Sequence, residues 1–153
     1  MSEEYFKLLI ETERTCRLTE RLIKEYALEN RIPCNVMQIL TLHFLIKLGG
    51  SGSPHEVHKD ITGIGGVTKN NHYNFQNLIK NGYLIHKKGK SLGMDNRCVF
   101  LEVTSKGRDL YKKVCIFLDE KIQELRKELG WEDENFSDYF ADLTALQEVM
   151  SSK

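Results

Sequence analysis

The chain has 153 residues, of which 41% are hydrophobic, and its 22 basic and 22 acidic side chains give a net charge of zero. This length predicts one domain over residues 1–153. No apolar run is long enough for a membrane helix, and the acidic N-terminus lacks a signal-peptide layout, so we expect a soluble cytoplasmic protein. The P-loop, G-x-S-x-G and H-E-x-x-H motifs are also absent, so we expect neither an enzyme nor a bound cofactor.

Charge is distributed unevenly along the chain. Residues 1–52 hold 7 basic and 7 acidic side chains, residues 53–113 hold 11 and 5, and residues 114–153 hold 4 and 10. The middle segment therefore carries a net charge of +6, which suits contact with a phosphate backbone. Chance clustering is the alternative explanation.

The first predicted helix covers residues 3–30. Its apolar and small residues recur at spacings of four and three, which is typical of a coiled-coil-like seam. The stripe needs a cover, either from the same chain or from a second one. Its members are Tyr5, Leu9, Thr12, Cys16, Thr19, Ile23 and Tyr26.

A second helix is predicted over residues 34–48, which are apolar on nearly every face and should be buried. His43 within it is interpreted as a core or interface histidine. Residues 49–52 predict a flexible glycine-rich loop. A short helix then begins with Ser53 as its cap, Pro54 in its first turn and Glu56 completing a capping box.

The stretch from about Thr68 to Asn81 predicts an amphipathic helix with Phe75, Leu78 and Ile79 on its apolar side. Its other faces are rich in asparagine, a poor helix former, and amide side chains suit a groove of DNA because they can pair with adenine edges. Two β-rich runs follow, at 83–87 and 97–104, separated by a polar loop. A helix followed by such a hairpin is the order of a winged helix.

The run Asp95-Asn96-Arg97 is followed after six residues by Thr104-Ser105-Lys106-Gly107. With Val103 in place of the usual leucine, this pattern resembles the wing signature of the MarR family of transcriptional regulators. Residues 78–84 match the end of its recognition helix. By the same alignment Asn71 and Asn74 occupy positions that are usually apolar, so the helix is either rotated or shifted at its start.

The resemblance implies a mainly α fold with a small β-hairpin wing (α+β), in which a winged helix-turn-helix at about 34–104 is flanked by dimerisation helices at about 3–30 and 104–150. It implies that Arg97 enters the minor groove, oriented by Asp95, while the recognition helix reads the major groove. We expect lysines of the wing to contact phosphate. The predicted DNA-binding residues are Thr68, Lys69, Asn70, His72, Tyr73, Asn74, Gln76, Asn77, Lys87, Lys88, Lys90, Asp95 and Arg97.

Two further helices are predicted at the C-terminal end, one over 104–129 capped by Thr104 and one from about Asn135. With the first helix they resemble the family's dimer interface, so the expected partners are a second copy of the chain and a pseudo-palindromic DNA duplex. The predicted interface residues are Tyr5, Leu9, Cys16, Ile23, Tyr26, Phe136, Tyr139, Phe140, Leu143 and Met150.

The cysteines Cys16, Cys34, Cys98 and Cys115 form no C-x-x-C pair and are predicted to be free thiols, although a helix dipole near Cys34 could favour a reactive thiolate. His55 and His58 alone are too few donors for a metal site, and none is expected. The sequence thus predicts a homodimeric DNA-binding repressor. The alternatives are a small-molecule- or redox-sensing module, which would bind an effector, and a winged helix used for protein contacts.

Overall fold

The computed structural model describes residues 2–57, 71–88, 99–130 and 137–152. The chain folds as two compact units, Met1–Ile116 and Phe117–Lys153. Apart from a helical segment at 54–57, the described elements are α1 (Ser2–Glu29), α2 (Val36–Lys47), β1 (Ser51–Gly52), α3 (Asn71–Lys80), β2 (Leu84–Lys88), β3 (Val99–Val103), α4 (Ser105–Leu129) and α5 (Ser137–Ser151). This mainly helical fold with a small antiparallel sheet confirms the predicted fold class.

Helix α2 is the central element of the first unit. Ile39, Leu42 and Leu45 are buried, as the apolar composition of this segment predicts. The helix begins after Asn35, whose side chain accepts a hydrogen bond from Gln38 N at 2.8 Å while Gln38 Oε1 accepts one from Asn35 N at 3.0 Å. This reciprocal capping box, which was not anticipated from the sequence, fixes the start of the helix.

The three strands form one antiparallel sheet in the order β1-β3-β2. Ser51 pairs with Glu102 and Gly52 with Leu101, and Val103 N donates to Gly50 O at 2.8 Å. The prediction of a flexible loop at 49–52 is therefore wrong for its last two residues. Pairing with β3 satisfies their backbone groups, which a local reading of glycine and serine could not anticipate.

Helix α3 ends in a tight turn that leads directly into β2. Gly82 has a φ of 78°, Gly82 N donates to Ile79 O at 3.0 Å, and Tyr83 N donates to Leu78 O at 2.9 Å. This is a glycine-terminated helix end. Because the turn is short, the orientation of α3 is tied to the sheet.

Helix α4 starts at the predicted cap. Thr104 Oγ1 accepts a hydrogen bond from Gly107 N at 3.0 Å and donates to Gly82 O at 2.6 Å. Lys106 Nζ donates to Asn81 O at 2.7 Å and lies 4.9 Å from the centre of the Tyr83 ring. The first turn of α4 thereby holds the turn that follows α3.

The second unit contains the C-terminal part of α4, together with α5. Apolar side chains along its helices are exposed, including Ile122 at 50%, Leu129 at 56% and Val149 at 55%. None of the described helices is both long and apolar enough to span a bilayer.

Candidate nucleic-acid interface

Helix α3 has two distinct faces. Phe75 is 7% exposed and Leu78 is fully buried, so these side chains anchor the helix to the core. The opposite face is exposed and carries a continuous strip of polar and aromatic side chains. Its members, spaced as one side of a helix, are His72, Tyr73, Gln76 and Lys80.

The sequence around this face contains no acidic side chain. From residue 61 to residue 94 there are five lysines and no aspartate or glutamate. A surface with this composition does not repel phosphate, which is the first electrostatic requirement for binding a nucleic acid.

Asn74, one of the predicted base-reading residues, lies on the inner face of α3 and is 4% exposed. Its Oδ1 accepts a hydrogen bond from Gln38 Nε2 of α2 at 3.2 Å. A side chain buried and bonded in this way is not available to a base, so we remove Asn74 from the proposed DNA contacts. Its amide has a buried partner in Gln38, which accounts for a polar residue at a position where the resembling family is usually apolar.

Asn77 is only partly exposed and also turns toward the core. Its Nδ2 donates to Gln38 Oε1 at 3.0 Å and to Pro33 O at 3.2 Å. We therefore remove Asn77 from the proposed DNA contacts as well. A small clue was present in the sequence, because Gln38 is one of few polar residues in a mostly apolar segment.

Lys87 and Lys88 end β2, where the strand leads into residues 89–98. Lys87 Nζ forms a salt bridge with Glu102 Oε2 at 2.7 Å, with side chains 36% and 38% exposed. This pairing offsets part of the positive charge that Lys87 would offer to a phosphate. Lys88 is exposed at the last position of the strand.

Several predicted DNA contacts, together with one predicted interface residue, lie outside the described residues. They are Thr68, Lys69, Asn70, Lys90, Asp95, Arg97 and Phe136. The roles of these residues therefore stay predictions from the sequence.

The predicted dimer residues of α1 divide into two groups. Leu9 is 63% exposed and Cys16 is exposed, whereas Ile23 is 7% exposed and Tyr26 is half-buried. Ile23 is covered within its own chain, where α1 meets α2, so we remove it from the proposed interface. In α5, Leu143 is half-buried, and the side chains of Tyr139, Phe140 and Met150, like that of Tyr5 in α1, lie outside the described part.

Among the described residues, the thiols and histidines give no sign of an activated nucleophile or of a metal site. Burial raises the pKa of Cys34 to about 11, and burial together with Glu20 raises that of Cys16, so both favour the protonated thiol rather than the reactive thiolate. His43 Nδ1 lies 2.7 Å from the hydroxyl of Tyr111, as expected of a histidine with a packing role. No cluster of potential metal ligands occurs among the described residues, which include His55 but not His58.

An open cleft of about 670 Å³ lies where α1 meets the start of α2. Ile23, Ala27 and Met37 contribute to its apolar walls, and Arg21 and Lys24 are among the charged residues that line it. Arg21 is already paired with Glu25 at 2.9 Å. The cleft is large enough for a small organic molecule.

Comparisons with protein-family models and with curated proteins find no match. Solved structures do match. BldR from Sulfolobus solfataricus, a transcriptional regulator, has 14% identity and a TM-score of 0.71, covering 99% of this chain and 97% of its own. A MarR mutant from E. coli complexed with operator DNA has 18% identity and a TM-score of 0.66, covering 96% and 95%. NadR in complex with 4-hydroxyphenylacetate has 17% identity and a TM-score of 0.70, covering 94% and 98%. By the structure of its described residues and by these neighbours, the chain has the winged helix-turn-helix fold of the MarR-type regulators.

Proposed function

We propose that this protein is a sequence-specific, double-stranded DNA-binding transcriptional regulator that acts in the cytoplasm as a homodimeric repressor. The observation that carries the proposal is the exposed face of α3, which is polar and aromatic, free of carboxylates and anchored from behind by Phe75 and Leu78. An α-helix with such a face fits the major groove of B-DNA. The MarR structure complexed with operator DNA supports this use of the fold.

Within that face, three side chains offer different chemistry to base edges. Gln76 can pair bidentately with adenine, His72 can donate or accept one hydrogen bond, and Tyr73, which is 65% exposed, offers both an apolar ring and a hydroxyl. These side chains provide sequence discrimination. We propose the same role for three residues at the start of the predicted helix, which are Thr68, Lys69 and Asn70.

The hairpin supplies the second contact in this proposal. Arg97, oriented by Asp95, enters the minor groove and responds to its width, while Lys88 and Lys90 contact phosphate. Lys87 contributes less than an unpaired lysine at this position would, because Glu102 offsets part of its charge.

The dimer is proposed from apolar side chains exposed on terminal helices. Phe6, Leu9 and Leu18 of α1 are 65%, 63% and 60% exposed, and α4 and α5 expose Leu129 and Val149. Large apolar side chains exposed on the helices of each unit support coverage by a second copy of the chain. Sedimentation of the full chain should give twice the 17.8 kDa mass of one copy, and a monomer at micromolar concentration would contradict the proposal.

The experiment that tests the function is selection of duplexes from a random-sequence library by the full-length protein. A two-fold symmetric dimer should enrich an inverted repeat whose half-sites lie about one helical turn, roughly 10 base pairs, apart. Blocking of transcription from a promoter containing that repeat would establish repression. A library that remains random after repeated rounds would contradict sequence-specific binding.

A second candidate function is small-molecule sensing, favoured by the cleft beside α1 and α2. NadR was crystallised with 4-hydroxyphenylacetate, so this fold does accommodate an organic ligand. Screening phenolic acids for a rise in melting temperature and for release of the selected duplex would test it. Use of the winged helix for protein contacts alone fits less well, because the exposed face of α3 is polar.

A further inference from the structure

A closed network of side-chain amides joins the inner face of α3 to the start of α2. Gln38, which is 2% exposed, uses both ends of its side chain: Nε2 donates to Asn74 Oδ1 at 3.2 Å, and Oε1 accepts from Asn77 Nδ2 at 3.0 Å. The same Oε1 accepts from Asn35 N at 3.0 Å. Asn35 Nδ2 also lies 3.4 Å from Asn74 Oδ1. We call these four residues, Asn35, Gln38, Asn74 and Asn77, the amide hub.

The amide hub fixes the rotation and height of α3 relative to α2, which the apolar contacts of α3 do not. Burial of Phe75 and Leu78 is non-directional and roughly proportional to buried area, so it selects the inner face of the helix but tolerates small rotations and slides. Hydrogen bonds weaken steeply when their angles close, and a buried amide left without a partner is costly. Two adjacent turns of α3 are therefore held at one angle and one height relative to α2.

The position of the hub along α3 relates it directly to the exposed face. Gln76 lies between Asn74 and Asn77, and Tyr73 precedes Asn74, so a rotation that broke the hub would turn both outward side chains away from their present directions. Asn77 adds a further tie through its bond to Pro33 O at 3.2 Å. The segment joining α1 to α2 thereby contacts the same turn of α3.

We infer that Gln38, a buried residue of α2 that does not contact DNA, is a positioning residue for sequence readout, acting through Asn74 and Asn77 to fix the rotation of α3. This inference rests on the proposed DNA-binding function and extends it. A buried polar group can specify one arrangement among several of similar packing energy. In this protein it specifies which side chains of α3 face the bases.

The test replaces both buried amides with apolar groups of similar size, in the variant Gln38→Met/Asn74→Leu. The variant removes both members of the buried Gln38–Asn74 pair, so neither amide of that pair is left unsatisfied. Asn77 Nδ2 keeps its bond to Pro33 O, and Asn35, which loses Gln38 Oε1 as an acceptor, is exposed to water, so the variant is expected to fold. Thr41→Val is the matched control, because Thr41 is a fully buried polar residue of α2 whose hydroxyl bonds Met37 O of its own helix at 2.8 Å. Each protein is assayed on the duplex that the wild type selects and on a shuffled duplex, with the active fraction fixed by stoichiometric titration.

The double variant should lose about tenfold or more of its preference for the selected duplex, and its own selection should enrich a different or more degenerate sequence. Thr41→Val should keep both properties. A purely structural role would lower the active fraction and leave the selected sequence unchanged. A folded double variant with wild-type preference would overturn the inference.

A measurement on the unmodified protein keeps the inference testable if the double variant does not fold. The side-chain NH2 groups of Gln38 and Asn77 should exchange with solvent at least about tenfold more slowly than in an unstructured peptide, with and without the duplex, because both donate inside the hub. Exchange at the unstructured rate would overturn the inference. If the wild type selects no duplex, the proposed function fails, whereas equal readout by wild type and double variant counts against the hub alone.

Discussion

Replacing Gly107, in the first turn of α4, with alanine is expected to destabilise the protein, which is the opposite of the usual effect of this change in a helix. Inside a helix this replacement normally stabilises by about 0.5–1 kcal/mol. A Cβ at Gly107 would lie 2.9 Å from Val103 Cγ1. It would also clash with the carbonyl oxygen of Tyr83, because the two atoms would be closer than van der Waals contact. That oxygen belongs to the backbone and accepts a hydrogen bond from Thr104 N at 3.1 Å, so it cannot move without shifting α4.

The expected magnitude follows from these two opposing effects. Overpacking against a fixed backbone costs about 1–3 kcal/mol, which exceeds the helix-propensity gain and leaves Gly107→Ala less stable by about 1–2 kcal/mol. Urea unfolding at equal protein concentration measures the difference, since association couples stability to concentration. Ser105→Ala, at an exposed position of the same turn, should change stability by less than about 0.5 kcal/mol.

The same change should also weaken binding to the selected duplex, because Tyr83 directly follows the turn that ends α3. A Gly107→Ala variant that is more stable than wild type would refute the close approach of α4 to Tyr83. So would unchanged stability together with unchanged DNA affinity.

Four further predictions concern single side chains in the interface and in the core. Gln76→Ala should relax discrimination at one base pair by about 1–3 kcal/mol, measured by competition with substituted duplexes. Glu102→Gln should release Lys87 to phosphate and steepen the salt dependence of binding by up to about one unit of slope, whereas Lys87→Ala should leave that slope nearly unchanged. Burial and the nearby Lys47 lower the pKa of His43 below its ordinary 6.5. As the pH falls, His43 is therefore protonated at a higher pH in the unfolded chain than in the folded chain. Stability should then fall as the pH drops below about 6.5, and this fall should be smaller in His43→Gln, as thermal melts at several pH values would show. With its pKa raised to about 11, Cys34 should react with iodoacetamide at neutral pH more than about a hundredfold more slowly in the folded than in the unfolded chain, and peroxide should leave DNA binding unchanged.

Features with local causes were predictable from the sequence. The capping box of Ser53 and Glu56 forms with distances of 2.7 and 3.2 Å, and Thr104 caps α4, because both depend on side chains within three residues of each other. The long first helix and the hairpin followed from periodicity. The structure places these elements within one or two residues of the expected bounds where they are described.

Features with distant causes were not predictable. The pairing of Ser51 with Glu102 joins segments about fifty residues apart, and no local pattern marks it. Asn74 faces the core because Gln38, 36 positions earlier, provides its hydrogen-bond partner. The pattern of polar and apolar residues within α3 could not reveal this distant partner. Likewise, the stripe of α1 could not show that Ile23 packs within its own chain while Leu9 remains exposed.

The salt dependence of binding tests the central claim most directly. Binding of the wild-type protein to the selected duplex and to a shuffled duplex of the same composition would be measured by fluorescence anisotropy of the labelled duplex, over a range of salt concentrations. Affinity for both should fall linearly on logarithmic axes as salt rises, and the selected duplex should be preferred by about a thousandfold or more near physiological salt. Equal affinity for the two duplexes, or binding that does not respond to salt, would contradict sequence-specific recognition of DNA by this chain.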